Sequence, residues 1–360
     1  MSSGTSCSRR EVLAQLLGTA CSLASANRLS FGAQAAQKTG LGLVAYSCAI
    51  RRKWLRKQDP AVDLYEPLTF LKHCHARGAG GMQASLGVLD QSETRQLRNF
   101  ADEHDLFIDG IVRPPKDRGG LHRFEAEIRT ASQVGVQAVR TVIMPGRRYE
   151  RFASLAEFQE FERRGLRMLE LAAPVVERHR VRLAVENHKD QRIDERVALF
   201  QSLGGEFIGA CVDTGNSFAL LDDPIGAVTA LAPFAFTVHL KDQALREYAD
   251  GFLLGDIPLG QGSFDLPRMV TVLKQNKPSI RFALELITRD ALKVPCLREN
   301  YWATMPSVPA SDLARSMQFV RSNAAKTLQK VSSLSLAEQV ELEDANVASS
   351  LRYAREILSL

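Results

Sequence analysis

The sequence predicts an α/β fold, a (β/α)8 TIM barrel with a C-terminal helical extension, from three observations. Short β-rich runs alternate with longer helical patterns from residue 40 onward. Eight such runs precede residue 290. Several are apolar almost throughout, as strands covered on both faces must be. The expected strands are Gly40–Tyr46, Gly80–Leu86, Leu106–Val112, Gln137–Met144, Val181–Asn187, Phe207–Asp213, Phe234–Leu240 and Ile280–Ile287. Regular strand-then-helix alternation of this length closes into a parallel barrel. A doubly wound open sheet is the competitor, but no Gly-x-Gly-x-x-Gly follows the first strand.

The intervening segments carry helical periodicity. Over Leu155–His179, Phe158, Phe161, Leu166, Met168, Leu169 and Ala172 form an apolar stripe. Shorter helices are expected over Asp194–Leu203 and Phe264–Gln275. Beyond residue 290 no ninth strand is evident. Pro295, Pro306 and Pro309 punctuate a loop, and helices are expected over 311–331 and 336–359. The chain thus divides into residues 1–35, a barrel over 36–290, and an extension over 291–360. That extension packs on the barrel or on a second copy in a homo-oligomer.

Residues 1–35 read as an export signal. Ser8-Arg9-Arg10-Glu11-Val12-Leu13 resembles a twin-arginine motif, a weakly apolar run reaches Ala26, and Ala33-Gln34-Ala35 has the small-residue pattern of a cleavage site. The expected location is the periplasm. No segment has 18 consecutive apolar residues, so stable membrane insertion is not expected. Composition is that of an ordinary globular enzyme, with 45% hydrophobic and 24% charged residues. The net charge of +5 is dispersed, without the Lys/Arg tract that nucleic acid demands. Six cysteines with no CxxC pair exclude a zinc ribbon or a disulfide-dense scaffold, and buried thiols are expected.

Four successive strand ends deliver a side chain able to bind a metal: Glu186 in Ala-Val-Glu-Asn-His, Asp213 in Cys-Val-Asp-Thr-Gly-Asn, His239 in Thr-Val-His-Leu-Lys-Asp and Glu285 in Ala-Leu-Glu-Leu. Singly, each has an ordinary explanation. Asp213 suits a turn or helix cap, the glutamates suit structural ion pairs, and His239 suits a satisfied core histidine. Together they are another matter. In a barrel the C-terminal ends of the strands converge on one mouth, and charges ending apolar runs are costly unless something pairs them. Three carboxylates and an imidazole suit a borderline-hard divalent ion; the imidazole tips the expectation to Mn²⁺, with Co²⁺, Mg²⁺ and Zn²⁺ as alternatives.

The runs Glu186-Asn187-His188, Asp213-Thr214-Gly215-Asn216, His239-Leu240-Lys241-Asp242 and Glu285-Leu286 resemble the xylose isomerase-like barrels, the sugar phosphate isomerase/epimerase and ketose 3-epimerase group. The resemblance spans roughly residues 40–290, and Gly260-Gln-Gly-Ser-Phe-Asp265 is similar to that family's Gly-x-Gly-x-x-Asp segment. It implies a metal-dependent isomerase or epimerase of a sugar or keto sugar, working through an enediolate. Glu186 and Glu285 would be ligands and also the acid/base pair, one removing a proton and the other returning it. It further implies that His188, Lys241, Arg246 and Asn216 contact substrate. The chain departs from the ketose epimerases at Asn216, where they carry histidine, and at Arg192, where they carry a second glutamate. The same ligands serve lyases and dehydratases of keto-inositols and 3-keto-glycosides, which stay open as alternatives. A histidine-rich trinuclear zinc endonuclease is excluded by only seven histidines. The rival of another class is a carbohydrate-binding or assembly barrel without catalysis.

Overall fold

The computed structural model describes residues 37–360; the export signal expected over residues 1–35 lies outside them. Eight strands form the barrel: β1 (Gly42–Val44), β2 (Gly81–Ala84), β3 (Phe107–Ile111), β4 (Ala138–Thr141), β5 (Arg182–Glu186), β6 (Ile208–Asp213), β7 (Ala235–Leu240) and, after an excursion, β10 (Phe282–Leu284). The ladder runs β1-β10-β7-β6-β5-β4-β3-β2 and closes, every pair parallel. Each expected strand is present and shorter than expected, because residues past Val44, Thr141 and Leu284 leave the ladder to build the mouth. The strand interiors are buried, as a sheet covered by helices requires.

The helices form where caps and apolar stripes coincide. The helix over Leu155–His179 starts at Ser154, whose hydroxyl accepts the Glu157 N–H at 3.3 Å, and buries Phe158, Phe161, Leu169, Ala172 and Val176. It ends at Arg180 in a left-handed conformation, φ 54°. Ile193–Leu203 and Leu266–Asn276 agree with expectation to within a residue or two. At the close approach of β2 to β3, a Cβ on Gly81 would lie 2.3 Å from the Phe107 carbonyl oxygen, so only glycine lets the strands meet there.

Three features beyond β7 differ from expectation. The chain does not pass from β7 straight into a helix. It forms an antiparallel hairpin, β8 (Asp242–Tyr248) with β9 (Gly251–Ile257), turning at Ala249-Asp250 with Tyr248 opposite Gly251. A third strand, β11 (Leu292–Val294), pairs with β9, although no strand was expected after residue 290. This three-stranded sheet departs from the barrel wall next to the mouth. The helix expected over 311–331 stops at Ser322, because a bridge between Ala324 and Leu245 of β8 draws the chain off the helix axis.

The C-terminal helix Leu336–Glu356 packs on the barrel. Glu343, 2% exposed, accepts the N–H groups of Ile50 and Arg51 at 2.8 Å each and so caps the helix Ala49–Gln58 from outside. Asp344 pairs with Arg51 and with Arg77. Residues 300–305 are fixed by Arg148, 1% exposed, which donates to Thr304 Oγ1 at 2.8 Å, to Thr304 O at 2.6 Å and to Glu195 at 2.6 Å, and stacks on Phe158 at 3.4 Å. Cys48, Cys74, Cys211 and Cys296 are free and buried. Among the described residues no helix is long and apolar enough to cross a membrane.

Candidate metal centre

Glu186, Asp213 and His239 stand at the ends of β5, β6 and β7, and Glu285 follows the last residue of β10. Asp213 and His239 are direct partners in the ladder. Each of the four offers one ligand atom, and these atoms lie within 4.8 Å of one another, with all four residues buried. The sequence motifs around them do the positioning. Asn187 donates to Asp213 O at 2.8 Å and accepts the Asp213 N–H at 2.7 Å, joining β5 to β6. The Thr214 hydroxyl donates to Lys241 O at 2.8 Å and accepts the Lys241 N–H at 2.8 Å, joining β6 to β7. Asp213 Oδ1 accepts the N–H groups of Gly215 and Asn216 at 2.8 Å each, which leaves Oδ2 free of any aligned hydrogen bond.

The donor set fits a cation. Gln83 Oε1 faces His239 Nε2 at 2.5 Å, and because a carbonyl oxygen only accepts, the ring proton belongs on Nε2. That leaves a lone pair on Nδ1, which has no hydrogen-bond partner among the described residues. It faces Glu285 Oε2 at 3.4 Å, Glu186 Oε2 at 3.6 Å and Asp213 Oδ2 at 4.0 Å. A lone pair surrounded by buried carboxylates is repelled unless a positive charge sits between them. Without an ion that role falls to protons and lysine. Burial opposes a charged imidazole, but the surrounding negative groups hold His239 well above the usual histidine range. Lys241 Nζ lies 2.8 Å from Glu285 Oε2 and 3.1 Å from Asp213 Oδ2.

The environment differentiates the carboxylates. Glu186 is fully buried, with Arg140 Nε donating to Oε2 at 2.5 Å and Asn216 Nδ2 donating to Oε1 at 2.8 Å. Burial works against its charge, but Arg140 together with His239 and His188 outweighs it, so its pKa is lowered. Burial likewise opposes Glu285, yet Lys241 and His239 hold it well below the carboxylate range. Burial dominates at Asp213, pushing it up to about 6 against the pull of Lys241.

Of the other expected site residues, Asn216 touches Glu186, and its Oδ1 accepts from Lys241 at 3.3 Å and from Lys189. His188 Nδ1 donates to Gly146 O at 2.9 Å, and burial lowers its pKa to about 4, so the ring is neutral. Arg246 is exposed on β8, opposite Leu253, with no hydrogen bond to the four residues among those described. Three neighbours escaped sequence reading: Arg140 on β4, Gln83 on β2 and Lys189 after β5. Arg140 and Gln83 each interrupt an apolar strand run, a signal that was available. Nearby, Asp242 accepts the N–H groups of Gly260 and Gly262 at 2.9 Å each and of Phe264 at 3.3 Å, so the Gly260–Asp265 segment is a loop wrapped around one carboxylate.

Comparison with known proteins agrees with this architecture. A family model described as xylose isomerase-like TIM barrel matches residues 71–322. The chain is 24% identical over 141 residues to a 3-oxo-isoapionate decarboxylase of Pectobacterium atrosepticum, covering 38% of this chain and 51% of that one. It thus spans about half the length of the curated relative it matches. Among solved structures, a D-psicose 3-epimerase determined in the presence of D-fructose superposes with a TM-score of 0.56 at 12% identity, covering 83% of this chain and 95% of the other. A 3-keto-D-glucoside 4-epimerase from E. coli gives 0.51 at 13% identity, covering 79% and 100%. At such identities the likeness is one of fold.

Proposed function

We propose that this chain, which belongs to the xylose isomerase-like TIM barrel family, is a divalent-metal-dependent isomerase or epimerase of a sugar or keto sugar. The observation that carries this reading is the buried His239 Nδ1, without a hydrogen-bond partner among the described residues and facing three buried carboxylates. Glu186, Asp213, His239 and Glu285 would hold the ion, Mn²⁺ in our reading. When bound, it supplies the Lewis acidity that makes the C–H beside a carbonyl removable.

The protein's own groups then divide the work. Glu186, gripped at both oxygens by Asn216 and Arg140, is suited to hold its position. Glu285 has the most exposed side chain of the four, 8% against 0% for the others, and is the group we assign to take the proton. Lys241, at 2.8 Å, keeps that carboxylate ionised between turnovers. His188 is fixed through Nδ1, and its Nε2 is available to accept from a substrate hydroxyl.

The test is hydrogen exchange. Mn²⁺-loaded protein in D₂O, given a panel of neutral ketoses and keto sugar acids, is expected to incorporate deuterium at the carbon next to the carbonyl, and Glu285→Gln to abolish it. No incorporation from any member of the panel by protein that binds Mn²⁺ would overturn the reading and favour a binding barrel. A second reading, loss of carbon dioxide from a β-keto sugar acid, is supported by the Pectobacterium relative. Both routes pass through the same enolate-type electron distribution; they differ in whether a C–H or a C–C bond supplies the electron pair.

A further inference from the structure

Lys189 is a buried ammonium, 3% exposed, that forms no ion pair among the described residues. Its acceptor is the neutral amide oxygen of Asn216, which Lys241 also approaches at 3.3 Å. Two ammonium groups therefore converge on one oxygen, and the other end of the same amide donates to Glu186. Its backbone is held as firmly: Lys189 O accepts the Arg148 N–H at 2.7 Å, and residues 147 and 189 bridge the loops after β4 and β5. Burying an uncompensated ammonium costs several kcal/mol, so a fold that holds one in place needs an anion to meet it.

The surrounding charges point the same way. Arg140 pairs with Glu186, and Lys241 with Asp213 and Glu285; with the unpaired Lys189 counted, the three carboxylates and three cations already sum to zero. A divalent ion would leave the centre with its whole charge uncompensated, and a neutral sugar would not relieve that. Asp256, further out, relieves Lys189 only in part, because it pairs with Arg289 at 3.4 Å. Asp256 and Arg289 line a cavity of about 270 Å³ together with Gln261 and Gln329. Both are near enough to Lys189 for their charges to act on it.

We infer that the substrate is anionic, a keto sugar acid or its reduced relative, whose carboxylate is received by Lys189 beside the metal centre. This inference rests on the metal-dependent reading above and names the substrate class for the same site. It makes Lys189 a specificity-determining residue, placed three positions after the first ligand. A neutral ketose, lacking the carboxylate, would leave both the ammonium and the ion unmatched.

Calorimetric titration of Mn²⁺-loaded protein with threonate and with threitol, a four-carbon acid and its neutral polyol, tests this directly. Threonate is expected to bind at least tenfold tighter than threitol. In Lys189→Met that preference should collapse to below about threefold, with Mn²⁺ affinity unchanged. Because a hydroxy acid also reaches a metal unaided, a preference that survives in Lys189→Met overturns the inference, as do equal affinities in the wild type. A separate Mn²⁺ titration distinguishes the two levels. Mn²⁺ binding without an acid preference sinks only the substrate class, whereas no Mn²⁺ binding sinks the parent reading and this one with it.

Discussion

Arg140→Met should be among the most costly single changes at the mouth. Arg140 is 7% exposed and Glu186 fully buried, and both Nε and a terminal nitrogen of the guanidinium contact Glu186 Oε2. Methionine fills much of the volume but leaves a carboxylate buried beside two others. Breaking a buried pair by removing one partner costs about 3–5 kcal/mol, chiefly the penalty of the stranded charge. At roughly 2 °C per kcal/mol for a chain of this size, the metal-stripped variant should melt about 6–10 °C below wild type. Adding Glu186→Gln removes the stranded charge and should recover at least about 2 kcal/mol of the loss. Mn²⁺ should narrow the gap between Arg140→Met and wild type, since an ion beside Glu186 replaces the lost positive charge. Thermal melts and urea titrations of the four members of this cycle, with and without Mn²⁺, supply every number. A cost below about 1 kcal/mol, or two substitutions that add without coupling, would refute the reasoning.

Two further predictions concern parts that hold the mouth in place. Burial pushes Glu343 up to about 7 against the pull of the Arg51 and Ile50 amides. A carboxyl raised on folding contributes most below its unfolded value near 4.5, and that contribution is lost as pH rises through 7. Relative to Glu343→Gln, wild type should lose up to about 3 kcal/mol between those pH values and then level off; a pH-independent difference in urea titrations would contradict this. Asp242→Ala strips the acceptor from the amides of Gln243, Gly260, Gly262 and Phe264. It should cost about 3 kcal/mol and raise hydrogen exchange across residues 258–265, with Asp242→Asn intermediate; unchanged exchange there would refute the role.

Much of this was legible in the sequence because barrels announce themselves by repetition. Each of the eight strands was found from apolar runs, and the four metal-competent residues from charges that end those runs. What escaped did so for identifiable reasons. The β8–β9 hairpin carries an Asp250-Gly251 turn signal, but Asp242–Tyr248 opens with polar residues and continues a strand already counted, so alternation gave no new start. The β11 strand is three residues long, and its identity comes from pairing with β9, a contact no local pattern encodes. Arg140 and Gln83 were hidden in runs read for apolarity alone, although a lone polar residue inside a buried strand must meet a partner. Lys189 was invisible for the opposite reason. Next to His188 and Asp190 it looks like a solvated loop residue, and only the fold shows that its ammonium is enclosed against Asn216.

The central claim is that Glu186, Asp213, His239 and Glu285 bind one divalent ion, and elemental analysis after dialysis tests it most directly. Wild-type protein, loaded with Mn²⁺ and dialysed, should retain about one equivalent of metal. His239→Ala and Glu285→Gln, folded by circular dichroism, should retain little or none. Wild type that holds no metal after loading, or variants that hold as much as wild type, would contradict the account.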